Sequence, residues 1–288
     1  MKKLMIPVGA FALCALAGFV VGGVNEDGSQ EPYPQVLSDG MFPEKHPDVH
    51  VGRVTESGDD EPEDVAESGG GQEVVVVEGG VGSIRGIVRY TGGEKPAGPL
   101  APTSDTLAEC GAEMSLEDRS LILDADGKLA NAVVTLKAKG YQAPVPTSPV
   151  IIDQFACRFE PHVQVVPESA PLRFKNSDGT SHNVHSYPKK NPAVNKNQAE
   201  GQTLDMDVSY AEVFKVACDI HPWMNMYVFV TKDTHYAVTN VAGEFTLENV
   251  PSGKYQLKLW HEKLGKEKVK NVIVQDGEVT ELAFDWAD

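Results

Sequence analysis

Cys218, His221, Met224 and Met226 fall within nine residues of one another, in the stretch Val216-Ala217-Cys218-Asp219-Ile220-His221-Pro222-Trp223-Met224-Asn225-Met226. A thiol, an imidazole and two thioethers are the side chains that soft and borderline metals select. A second imidazole, His182, stands upstream in Phe174-Lys175-Asn176-Ser177-Asp178-Gly179-Thr180-Ser181-His182-Asn183-Val184-His185. One thiolate and two imidazoles in a plane, with a long axial thioether, is the set preferred by copper electron-transfer centres. Zinc also takes Cys and His, in closed tetrahedral sites, but has no use for the thioether and would want a second Cys or third His. His185, His162 and Cys157 make a weaker second grouping. No Ser-His-Asp arrangement, paired carboxylates or haem-attachment cysteine pair stands out, so the chain is not read as an enzyme.

Ligands drawn from two distant stretches must be delivered by elements that bring strand ends together. Alternating or β-branched runs recur at Ser83–Tyr90, Leu121–Leu123, Ala132–Ala138, Val150–Asp153, Val163–Val166, Leu172–Lys175, Val213–Cys218 and Tyr227–Thr231. They continue at Tyr236–Thr239, Glu244–Leu247, Tyr255–Trp260, Val269–Val274 and Thr280–Phe284, with Gly, Pro and Asn in nearly every gap. That is the spacing of sandwiches or small barrels. Leu107–Arg119 is the one plausible short helix. The expected class is all-β, built as Greek-key β-sandwiches.

The remainder of the chain bears on location. Lys2 and Lys3 precede an uncharged, largely apolar run from Leu4 to Val24, the pattern of an export signal. The run is also long enough for a membrane anchor, for which about 20 residues suffice. Residues 1–24 are thus expected to be a signal peptide or anchor, with an exported, periplasmic or cell-surface body. The chain carries 42 acids and 25 bases for a net charge of −17, yet residues 25–80 alone hold fifteen of the acids and only two of the bases. This stretch is expected to be a disordered acidic linker, with Glu73–Val77 its one apolar patch. The negative balance argues against nucleic acid, whose backbone is held by Lys and Arg. Beyond Cys14 the chain has Cys110, Cys157 and Cys218. In an oxidising compartment an odd count suggests a Cys110–Cys157 disulfide, with Cys218 either buried or held as a metal thiolate.

The stretch from about Val150 to Thr231 resembles a cupredoxin, the family of plastocyanin, amicyanin and pseudoazurin. The resemblance rests on Phe159-Glu160-Pro161 leading to Val163, on Phe174-Lys175-Asn176-Ser177-Asp178 followed by His182-Asn183-Val184, and on Cys218-Asp219-Ile220-His221-Pro222-Trp223-Met224. It implies one type 1 copper, with His182, Cys218 and His221 as equatorial ligands. Met224 would be axial by the short amicyanin-like spacing and Met226 by the longer plastocyanin-like one, with Met224 favoured. It also implies that Asn183 ties the ligand loops together. The partner would be a redox protein such as a cytochrome or membrane oxidoreductase, docking on the apolar patch near Pro222 and Trp223. The flanks are similar to a carboxypeptidase regulatory-like, or transthyretin-like, sandwich: Gly82–Val88 and Asn131–Leu136 match its first strands. Gly243 and Val250-Pro251-Ser252-Gly253-Lys254-Tyr255 match its later turns. The expected organisation is a regulatory-like sandwich in two parts, 81–143 and 233–288, with a cupredoxin domain at 144–232 inserted in it or joined to it. Single-electron transfer is the expected function; a copper carrier or sensor, or a structural sandwich without redox activity, are the alternatives.

Overall fold

A computed structural model describes residues 79–97, 99–100, 110, 116–265 and 268–287. The expected signal or anchor, the acidic linker up to residue 78 and the Glu73–Val77 patch lie outside the described residues. The chain runs β1 (Val81–Tyr90), β2 (Pro99–Leu100), β3 (Leu116–Glu117), β4 (Val133–Leu136), β5 (Val150–Phe155), β6 (Arg158–Glu160), β7 (Val163–Pro167), β8 (Pro171–Asn176) and β9 (His182–Ser186). It continues with β10 (Asn195–Gln198), β11 (Thr203–Asp207), β12 (Glu212–Ala217), β13 (Asn225–Thr231), β14 (His235–Val238), β15 (Glu244–Pro251), β16 (Gly253–Trp260), β17 (Lys268–Val274) and β18 (Val279–Trp286). The architecture is all-β.

Two sandwiches account for nearly all of it. In the outer one, a three-stranded sheet β15-β1-β18 faces a four-stranded sheet β14-β4-β16-β17. β1 runs antiparallel to β15, with Ile84 opposite Leu247, and parallel to β18, with Val88 opposite Phe284. The first strand therefore closes its sheet with strands about 160 residues or more downstream, whose backbone groups it needs to satisfy its own. Gly86 is required there, because a Cβ would come within 2.5 Å of the Phe245 ring. In the inner sandwich, β10-β9-β12-β13-β7 faces β11-β8-β5-β6, with Ile152, Phe159, Phe174, Val184, Val216 and Val228 in its core.

Between the sandwiches lies a third apolar cluster of Val133, Val163 and Val165, packed by Tyr227, Phe229, Tyr236, Val238 and Trp260. It explains why β4 is buried at all four positions instead of alternating. Val134 and Leu136 fill the outer core while Val133 on the opposite face meets the inner domain, the pattern of a strand covered on both sides. A buried pair between His162 Nε2 and the Glu262 carboxylate joins the two bodies at the same seam, the side chains being 3% and 5% exposed.

Leu121–Leu123 is not a strand but a single bridge from Leu123 to Leu129. Of the expected helix at Leu107–Arg119, Leu116–Glu117 are strand instead, Cys110 is helical, and 107–109 and 111–115 lie outside the described residues. Leu136 is fully buried. Leu136→Ala is expected to destabilise the protein by about 2–5 kcal/mol, measured by urea unfolding; a loss below about 1 kcal/mol would mean the outer core is not packed as described.

Candidate metal centre

The turn that delivers the first histidine is built on buried amide groups. Asn176 closes β8 and is fully buried. Its Nδ2 donates to the carbonyls of Thr180 (2.9 Å) and Gln198 (3.0 Å), and its Oδ1 accepts the Asp178 N–H (3.0 Å). This folds residues 177–181 back so that His182 enters β9 pointing inward. The second ligand stretch follows β12, which pairs with β13 through Val216–Met226 and Ala217–Asn225. Just beyond that ladder the Cys218 N–H donates to the Met224 carbonyl (3.0 Å) and the Met224 N–H to the His221 carbonyl (2.9 Å). The loop from Cys218 to Met224 is thereby closed at both ends.

These two turns bring Cys218, His182 and His221 together, with their ligating atoms within 4.8 Å of one another. The Nδ1 atoms of His182 and His221 are 2.9 Å apart, and Cys218 Sγ is 3.8 Å from His221 Nδ1. All three side chains are buried, His182 completely. Each histidine turns Nδ1 inward because its other nitrogen is occupied. His182 Nε2 is 2.8 Å from Asp178 Oδ2, while His221 Nε2 faces Cys110 Sγ at 3.9 Å. The Asn183 N–H donates to Cys218 Sγ (3.3 Å), and its Oδ1 accepts the Asp219 N–H (3.4 Å), so Asn183 touches both ligand loops.

Met224 and Met226 are both buried in the inner core. Side chains opposite each other across an antiparallel pair share a face. Extending the β12–β13 register places Met224 opposite Cys218, while Met226 sits opposite Val216, about 7 Å further along the strand.

Asp178 was not singled out in the sequence. Its Oδ1 accepts the Ala156 N–H (2.7 Å) and its Oδ2 the Cys157 N–H (2.8 Å), alongside the contact with His182. Ala156 and Cys157 form the two-residue turn between β5 and β6, and both have φ of 51°. Non-glycine residues enter that region at a cost, and the Asp178 clamp offsets it. Nothing in a lone Asp within a Ser-Asp-Gly turn betrays this, apart from its four-residue spacing to His182.

A disulfide joins Cys110 and Cys157. Its sulfurs come close enough to His221 to form a geometric donor grouping with it, but a bonded disulfide offers no thiolate to a metal. Trp223 lies across the His221 ring with centroids 5.1 Å apart, and its Nε1–H donates to the Cys157 carbonyl (3.1 Å). The second grouping of His185, His162 and Cys157 does not assemble. His185 meets Asp219 (3.0 Å), His162 meets Glu262 and Cys157 is in the disulfide.

Burial opposes charge on His182, but the Asp178 carboxylate and the Cys218 sulfur outweigh it and raise the imidazole pKa to about 9. Burial likewise opposes the Cys218 thiolate, yet hydrogen bonds with His182, His221 and the Asn183 N–H bring its pKa down to about 6. Burial also works against ionised Asp178, and the donors His182, Cys157 and Ala156 hold its carboxyl below the usual range all the same. The donor set fits a soft or borderline ion: a ready thiolate and two imidazoles that each turn Nδ1 into the cluster.

No protein-family model matches the chain, and neither does any curated protein sequence. Among solved structures it is similar to a copper-containing nitrite reductase from Thermus scotoductus SA-01, at 20% identity and a TM-score of 0.28, over 33% of this chain and 25% of that one. It is also similar to a purple cupredoxin from Nitrosopumilus maritimus, at 20% identity and a TM-score of 0.26, over 28% of this chain and 99% of that one. A variant of amicyanin in its Cu(I) form aligns at 18% identity and a TM-score of 0.28, over 34% of this chain and 98% of that one.

In the metal-free protein the Cys218 thiolate is expected to titrate near the depressed value of about 6, followed by its ultraviolet absorbance against Cys218→Ser. A midpoint near that of an ordinary thiol, about 8.5, would contradict the hydrogen-bonded cluster.

Proposed function

We propose that this chain holds one copper ion in a type 1 site and transfers single electrons. The observation that carries the reading is the buried convergence of Cys218 Sγ, His182 Nδ1 and His221 Nδ1, with the thiol biased toward thiolate. Cys218, His182 and His221 would hold the metal, and the register across β12 and β13 favours Met224 over Met226 as the thioether that would join them. Bound there, copper would supply one-electron chemistry between its cuprous and cupric states. The resemblance of the Val150–Thr231 sequence to cupredoxins points the same way.

The chain's own groups do the positioning. Asp178 fixes His182 with Nδ1 inward, Asn183 donates to the sulfur and braces the second loop, and the closed Cys218–Met224 turn limits how far the ligands move. Burial excludes water from the cluster, which strengthens each electrostatic contact. It also favours electron transfer over metal carriage: His221 is covered by the disulfide and Trp223, and a carrier must release its ion readily. The partner is a redox protein such as a cytochrome or membrane oxidoreductase, meeting the protein near the exposed Ile220 and Pro222. Such transient encounters bury little area. We place the protein outside the cytoplasm, periplasmic or at the cell surface, where a disulfide like Cys110–Cys157 persists and where the 1–24 segment would direct it. The outer sandwich is a regulatory-like scaffold for the copper domain, and no substrate turnover is assigned to either.

Copper(II)-loaded protein is expected to show an intense visible thiolate-to-copper band that Cys218→Ser abolishes and His182→Ala disrupts. Met224→Ala should shift the band and Met226→Ala leave it in place. A colourless protein that retains zinc, or a spectrum indifferent to Cys218, would refute the reading. Asp178→Asn is expected to weaken copper binding by about 10–100-fold, measured by competition with a chelator. Unchanged affinity would show that His182 is oriented by something else.

A further inference from the structure

A pocket of ≈ 370 Å³ opens at the seam between the two sandwiches, within the size range of small-molecule sites. The inner domain contributes Arg158, Lys215, Trp223 and Met224 to its lining, and the outer domain contributes Glu262 and Lys263. Several charged groups around it are already committed. Glu262 pairs with His162, Arg119 makes a two-pronged contact with Glu160 (2.7 and 3.1 Å), and the Asp118 carboxylate accepts the Ser120 N–H (2.8 Å). Lys263 faces the Asp118 carboxylate, whose charge it stabilises, and Glu117 also lines the pocket, whereas no ion pair of Arg158 or Lys215 is found among the described residues. Arg158 Nε is moreover buried with no hydrogen-bond partner among them. A buried donor without an acceptor costs about 1–3 kcal/mol, more when charged, so a guanidinium placed this way is suited to an acceptor brought by a ligand.

We propose that this pocket is a binding site for a small oxyanion, a carboxylate or phosphate compound held by Arg158, Lys215 and Lys263. Arg158 supplies the directional contact, since a planar guanidinium matches two oxygens of a carboxylate or phosphate. The lysines add charge at the rim, both being exposed. The position also links the site to the metal centre. Trp223 is at once a wall of the pocket and the ring against His221, and Met224 belongs to both. Resting on the copper reading above, an anion bound here stabilises the cupric over the cuprous state and lowers the reduction potential.

The test begins with metal-free protein, titrated calorimetrically with inorganic phosphate and, separately, with citrate. At least one is expected to bind saturably, one molecule per chain, and which of them binds more tightly identifies the anion class. The indole N–H resonance of Trp223 should move during the titration while that of Trp286, in the outer core, stays. Arg158→Gln is expected to weaken binding about tenfold or more, the value of one hydrogen bond to a charged group. Lys263→Gln, at an exposed position, should weaken it about threefold and serves if Arg158→Gln fails to fold. Failure of both probes to saturate, unchanged affinity in the variants, or an unmoved Trp223 signal would overturn the proposal. Because no metal is needed, this result stands or falls separately from the copper reading. In copper-loaded protein, a potential unaffected by bound anion would overturn the coupling.

Discussion

The carboxylate of Asp178 is the joint on which the buried Cys-His cluster depends. One oxygen accepts the Ala156 N–H; the other takes the Cys157 N–H and faces His182 Nε2. Three consequences follow from one side chain. The β5–β6 turn is held at positive φ without a glycine, the half of the disulfide carried by Cys157 is fixed in place, and His182 is left with only Nδ1 to offer. The Cys157 carbonyl in turn receives the Trp223 indole, whose ring lies on His221. The two histidines, drawn from stretches far apart in sequence, are thus oriented through one hairpin.

A second constraint operates at larger scale. Because Val133 faces the seam while Val134 and Leu136 face the outer core, β4 belongs to two hydrophobic clusters. β16 does the same: Leu257 and Leu259 lie in the outer core while the Trp260 ring at its end sits beside Tyr227 and Phe229, with centroids 5.6 Å from each. The seam is therefore a packed interface as well as a linker crossing. It ends beside the ligand loop, which explains why residues of the outer sandwich help to wall the pocket lined by Trp223 and Met224.

Runs such as Phe214–Val216 or Tyr255–Leu259 alternate apolar and polar side chains, Tyr227–Val230 is apolar throughout, and strands form at each of them. The strands the sequence concealed are polar for identifiable reasons. β9 reads His-Asn-Val-His-Ser because only Val184 serves the apolar core, while His182 joins the Cys-His cluster and Asn183 a hydrogen-bond network. β10 reads Asn-Lys-Asn-Gln because it is an exposed sheet edge whose two asparagines accept from Asn183. β6 was hidden because its turn, Ala156-Cys157, lacks the Asn-Gly chemistry by which such hairpins are recognised. Conversely, Leu121–Leu123 carries β-type side chains but finds backbone partners only for a single bridge.

Residue type and local spacing determined the all-β class, most strand positions and the candidate ligands, because alternation and donor chemistry are properties of short stretches. Tertiary structure alone decided which distant segments meet. It set β1 between β15 and β18, packed one face of β4 on the other sandwich, put Met224 opposite Cys218, and brought Asp178 and the disulfide against the histidines. Those outcomes depend on loop closure and on complementary buried surfaces over separations of tens to hundreds of residues. No local pattern encodes that information: the net charge and the motif Cys-x-x-His would read the same whether His221 lay open to solvent or, as here, beneath a disulfide and a tryptophan.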